Sequence, residues 1–203
     1  MKTNEEIINK LIEEVTLFNE ISPGDIPDIE LYMDQITTFF EDRLKHLKRG
    51  KEDPILTKTM INNYTKGKIL MPPNKKKYSK EHLMLLILIY NLKQVISIND
   101  IQDLFTPLIK EISSSNSKLR LEEIYTFFLS IKENELETFK TNIVDRFALI
   151  ESKIDESVPE KQEMIELLLI VMMLVHQAGM YKKLAEKIID NFFKEDIEKK
   201  VKK

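Results

Sequence analysis

The chain contains no cysteine and has only four glycines and seven prolines in 203 residues. Without cysteine there are no disulfides, no thiolate nucleophiles and no sulfur-ligated metal sites. The scarcity of glycine and proline disfavours a turn-rich sandwich and favours long helices. The phosphate-binding glycine loop, the dinucleotide fingerprint and the nucleophile elbow are all missing. His46, His82 and His176 are far apart and share no metal-ligand spacing. Acidic pairs such as Glu13-Glu14 and Glu41-Asp42 read as solvated helix faces, since no base or nucleophile accompanies them. These absences predict a protein that is not an enzyme and has no catalytic, cofactor-binding or metal residues.

Long apolar runs are also scarce. Leu167 to Val175 is the most extensive, nine residues where a bilayer span needs roughly 20. It reads as a fully buried helix. The first twenty residues carry glutamates rather than the basic start and unbroken apolar core of a signal peptide. Together these features predict a cytoplasmic protein with no membrane partner.

What is present is a substantial apolar fraction, 42%, and an uneven charge distribution. The net charge is −3, but residues 1–42 hold 2 basic and 11 acidic side chains, net −9, and residues 43–80 hold 12 basic and 2 acidic, net +10. A positive segment this concentrated can present a local field to a polyanion on an otherwise acidic protein.

Hydrophobic periodicity predicts an all-α, mainly helical fold with one small β wing. Ile7, Ile8, Leu11, Ile12, Val15 and Phe18 mark a helix over 4–19. Asp28 is a candidate cap for a helix carrying Leu31, Ile36, Phe39, Phe40, Leu44 and Leu47. Thr57 is the expected cap of a short helix that turns Met60, Ile61 and Tyr64 inward. A short strand is expected at Ile69 to Met71, then a basic tip from Asn74 to Lys77. Ser79 starts a helix that is apolar nearly all round and therefore central. Ser97 to Asp100 fits a capping box, and Pro107 is expected to bend or end the helix that follows. Ser113 to Ser117 reads as a hinge, and four helices are expected near 119–131, 134–151, 160–177 and 180–195, with Gly179 ending the third. Phe127, Phe128, Phe139, Phe147, Phe192 and Phe193 read as core or interface aromatics, and Lys199 to Lys203 as a frayed end. The organisation expected is an N-terminal helical extension over 1–29, a winged helix-turn-helix over 30–112 and a helical oligomerisation or effector domain over 118–203.

Met60 to Tyr64, Lys68-Ile69-Leu70, Pro72, Asn74 to Lys76 and Tyr78-Ser79 resemble, in order, the recognition helix, wing and following helix start of the MerR superfamily. Asn62 stands where that family has a phosphate-contacting arginine, Lys68 replaces a glycine, and Asn74 replaces the wing glycine. Asparagine is the residue after glycine best able to take a positive φ, so the wing turn is expected at Asn74. More closely, Met60 to Tyr64, Pro72-Pro73 and Lys76 to His82 resemble the bacterial family called domain of unknown function 1836. These resemblances imply a DNA-binding transcriptional regulator. Lys58, Thr59, Asn62, Asn63 and Lys66 would face the duplex from the helix, while Lys75, Lys76 and Lys77 would meet phosphate from the wing. Tyr64 and Tyr78 read as packing anchors, and His82 and His176 as structural histidines. The partners expected are double-stranded DNA, a second copy forming a homodimer on a two-fold operator, and an unidentified small-molecule or protein effector. The alternative is a helical protein-interaction or scaffold module that uses the same basic face for an acidic partner.

Overall fold

The computed structural model describes residues 4–16, 20–50, 52–114, 118–154 and 162–194. The expected frayed end, Phe18, and residues 115–117 of the expected hinge lie outside the described residues. The protein is mostly helical. Its elements are α1 (Asn4–Thr16), β1 (Leu31–Tyr32), α2 (Met33–Leu44), a 3-10 turn (Lys45–Leu47), α3 (Lys58–Lys66), β2 (Lys77–Tyr78), α4 (Lys80–Leu92), α5 (Ile98–Ile112), α6 (Leu121–Lys153) and α7 (Gln162–Phe192). They form two compact units: Ile21–Thr126 with Leu184–Lys203, and Met1–Glu20 with Phe127–Lys183. The first unit extends beyond both ends of the 30–112 segment marked out by sequence.

In the first unit α4 is the central element. Every residue from His82 to Tyr90 is buried, as expected of a helix without a polar face. Also buried in this unit are Ile36 and Phe40 of α2, Ile61 and Tyr64 of α3, and Ile101 and Phe105 of α5. Tyr125, in the first turns of α6, has no solvent exposure, and its hydroxyl donates to the Ile21 carbonyl at 2.6 Å. This bond joins the two ends of the segment that builds the unit.

Several boundaries differ from the sequence expectations. Asp28 caps nothing. Leu31 and Tyr32 form β1, and α2 begins after Tyr32, whose amide donates to the Gln35 side chain at 2.8 Å. Pro107 lies inside α5 without ending it. The helices expected at 119–131 and 134–151 are one helix, α6, and Gly179 sits within α7 rather than after a break. One glycine costs a helix about 1 kcal/mol, too little to stop a run flanked by strong helix formers.

The strand expected at Ile69 to Met71 does not form, for a definite reason. The end of α3 is a complete Schellman motif: Ile69 N–H donates to Tyr64 O at 2.9 Å and Lys68 N–H to Thr65 O at 3.1 Å. Leu70 N–H also turns back to Tyr64 O, at 3.2 Å. Pro72 and Pro73 then offer no N–H at all. The Ile69 and Leu70 donors are spent and the two prolines have none, and β2 pairs instead with β1, antiparallel, with Leu31 opposite Tyr78 and Tyr32 opposite Lys77.

Lys68 occupies the left-handed position of that motif at φ 58°, while Gly67, one residue earlier, has an ordinary backbone. A side chain with a Cβ is strained there and glycine is not. Lys68→Gly is therefore expected to stabilise the unit by about 1 kcal/mol. A urea-denaturation midpoint that is unmoved or lowered would contradict this account of the helix end.

The run Leu167 to Val175 is not fully buried, since Ile170 is its one buried residue. It lies in α7, where Leu168, Val171, Met172 and Val175 are exposed. Met164, Ile165 and residues 178–181 lengthen the apolar stretch, with only Glu166 charged within it. By length and composition alone α7 could cross a membrane. Phe147 of α6 is buried, whereas Phe127, Phe139 and Phe192 are exposed.

Candidate nucleic-acid interface

The candidate surface is built on α3, which has two distinct faces. Thr57 caps it, its hydroxyl accepting from Met60 N–H at 3.2 Å. Ile61 and Tyr64 point into the core, and Ile69 and Leu70 fill the space below the helix end. Helical spacing then leaves Lys58, Thr59, Asn62, Asn63 and Lys66 together on the opposite face, and all five are exposed.

After Pro73 the chain reverses in two residues. Asn74 N–H donates to Lys77 O at 3.0 Å and Lys77 N–H to Asn74 O at 2.9 Å. The central residues, Lys75 and Lys76, have φ of 49° and 66°. Positive φ at both positions is the signature of a type I′ hairpin turn, which favours Asn-Gly because L side chains resist this conformation. The expectation that Asn74 takes the positive φ is therefore corrected. Asn74 sits in the extended flank, and the strain falls on the two lysines.

Lys75 and Lys76 are exposed, and neither they nor Lys66 have a carboxylate partner among the described residues. Lys77 is different. It is half-buried, with Nζ 5.5 Å from the centre of the Tyr32 ring. Lys58 forms an exposed ion pair with Asp34 in the first turn of α2. Tyr32 and Asp34 are two residues apart, so the base of the lysine turn and the start of α3 are both anchored at the N-terminal end of α2. Sequence reasoning named the basic residues but not Tyr32 and Asp34. The only available signal was that an aromatic and an acid flank the start of a helix.

Tyr64 and Tyr78 are both buried packing residues, and burial raises their hydroxyl pKa. His176 is exposed on α7. His82 is buried behind the lysine turn, its ring edge-on to Tyr78 at 5.4 Å. Its Nδ1 accepts from Ser79 N–H at 3.1 Å, which assigns the ring proton to Nε2. Among the described residues no acceptor meets buried Nε2 in good hydrogen-bond geometry, although the Pro72 and Met71 carbonyls lie near the ring. Burial holds the imidazole below the ordinary histidine range, against the opposing pull of the Pro72 carbonyl, the Glu81 carboxylate, the Met71 carbonyl and Glu30.

This fixes the sign of a pH effect. The unfolded chain takes up the proton first, near pH 6.5, so the stability contributed by neutral His82 is fully present above about 6.5. It is lost as the pH falls from there through the lower folded value. Thermal melts should show a loss between pH 7 and pH 5 that shrinks in His82→Asn, whose side-chain oxygen can still accept from Ser79. An equal loss in both proteins would remove His82 as its source.

Among the described residues, no group of three or more histidines and acids is arranged to hold a metal ion. In the other unit α6 and α7 border an open groove of about 450 Å³ whose lining includes Phe139, Leu174 and Tyr181, with Glu135 its one carboxylate and no histidine.

The family model described as a domain of unknown function (DUF1836) matches residues 21–128. No curated protein and no solved structure matches the chain. The matched segment begins at Ile21 and ends just beyond Tyr125, the two residues joined by the buried hydrogen bond.

Proposed function

This chain belongs to the domain of unknown function 1836 family, and we propose that its matched segment is a MerR-like winged helix-turn-helix that binds duplex DNA in a sequence-specific manner, as a cytoplasmic transcriptional regulator. The reading rests chiefly on one observation. The exposed face of α3 gathers two amides, a hydroxyl and two lysines, and an exposed pair of lysines caps the turn anchored to the same end of α2. The element order β1, α2, α3, turn, β2, α4, α5 supports the same fold.

The chemistry divides between the two parts. Asn62 and Asn63 each carry a donor and an acceptor on one short side chain, the combination that pairs with an adenine edge in the major groove. Lys75 and Lys76 meet phosphate, where charge matters and base identity does not. Lys58 would exchange Asp34 for phosphate. Lys77 holds the turn through Tyr32 and contributes charge from beneath it.

Selection of bound fragments from random duplexes at moderate salt tests the proposal. Wild type should enrich a defined site. Asn62→Ala with Asn63→Ala should cost about 1–3 kcal/mol of discrimination per lost base contact and change the enriched sequence, with non-specific affinity nearly unaltered. No enrichment by the wild type, combined with binding to an acidic protein partner, would favour an interaction module instead.

A further inference from the structure

We propose that the outer face of α7 is a self-association surface on which a second copy of this chain docks antiparallel, so that the two α7 helices pack together with each α6 on the far side of its own α7. Within this unit α6 covers only one side of α7. Ile143 and Phe147 of α6 are buried, Ile170 of α7 is buried, and the Arg146 guanidinium donates to the Gln177 side chain. Glu166 is only 5% exposed.

On the opposite side stand Met164, Leu168, Val171 and Val175, exposed by 62, 54, 56 and 67%, followed by exposed Ala178 and Lys182. Their spacing alternates four and three, the period of a helix–helix seam rather than of a random apolar surface. Leu167, Met172 and Leu174 flank the seam and are exposed as well, so the face is broad enough to supply much of the ~800 Å² that a stable interface takes from each partner.

The seam is also symmetric about residue 173. In an antiparallel two-fold pair, Val171 faces Val175 of the second copy, Leu168 faces the small Ala178, and Met164 lies along the aliphatic stem of Lys182. A parallel pair would instead set Lys182 against Lys182 on the seam, which is unfavourable. A bilayer fits less well as the occupant. It would have to accommodate Arg146 and the charged α6 alongside the middle of the apolar stretch.

The surface requires no DNA contact, so its test is independent of the DNA reading. Sedimentation velocity of the full chain across a micromolar concentration series should show a monomer–dimer equilibrium. Val171→Glu with Val175→Glu should raise its Kd at least about 100-fold while leaving helicity unchanged, because the new acids oppose each other across the axis. The chain lacks cysteine, so Gln162→Cys carries a single spin label. Two labels should lie about 30 Å apart in the antiparallel pair, against about 10 Å if parallel. A wild type that stays monomeric throughout would overturn the proposal, as would an undisturbed dimer in the double variant or the short label distance. Capture of the protein by anionic phospholipid vesicles in place of self-association would assign the face to a membrane instead.

Discussion

Replacing Lys75-Lys76 by Asn-Gly is expected to make the protein more stable and a poorer DNA ligand at the same time. Both residues sit at positive φ, at 49° and 66°, where an L side chain costs roughly 1–2 kcal/mol and Asn or Gly much less. The variant should therefore gain about 1–2 kcal/mol in urea denaturation. On the proposed DNA reading, removing two phosphate contacts should flatten the plot of log affinity against log salt by about 1.8 and lower affinity by roughly 30-fold at 0.15 M salt. Opposite signs are useful here. A substitution that merely damaged the fold would lower both quantities, and a turn with no DNA role would raise stability and leave binding alone. Unchanged affinity and slope would end the phosphate role of the wing. The strain fits a functional turn, since a sequence selected only for folding would place Asn-Gly there.

The other large effect concerns the end of the matched segment. Tyr125→Ala should destabilise the first unit by about 3–5 kcal/mol, since it empties a fully buried site and removes the partner of the Ile21 carbonyl. Tyr125→Phe isolates the hydroxyl and should cost about 1–2 kcal/mol, the penalty of a buried acceptor left unpaired. By the same argument a chain ending before α6 should unfold readily, whereas one ending after residue 128 keeps the clasp. A melting temperature that does not respond to Tyr125→Ala would show that the unit closes without α6.

The candidate surface was more legible than its supports. Helical period alone separated Ile61 and Tyr64 from Lys58, Asn62 and Asn63, because a nine-residue helix with a Thr cap has only one way to bury its apolar side. The capping box at Ser97 was equally readable: Asp100 N–H donates to Ser97 Oγ at 3.1 Å, and the Ser97 hydroxyl donates to the Asp100 carboxylate at 2.6 Å. The strand partner of Lys77-Tyr78 was not readable. It comes from Leu31-Tyr32, more than forty residues away, and no local pattern announces a two-residue strand. Nor could the sequence show that lysines, rather than Asn74, take the left-handed backbone, because hydrogen bonding between Asn74 and Lys77 sets the register of the turn.

Local order was determined by the sequence itself: which segments are helical, where Thr57, Ser79 and Ser97 start them, and which side chains of α3 face water. These follow from interactions within a few residues, which any chain with this pattern would make. Tertiary structure decided the rest, because it depends on which distant groups remain to be satisfied. It took β2 to β1, brought Lys58 and Lys77 to one end of α2, buried Tyr125 against Ile21, and left the apolar outer face of α7 uncovered. That last outcome ran against the sequence expectation of burial, since hydrophobicity states that a surface favours cover but not whether the same chain supplies it.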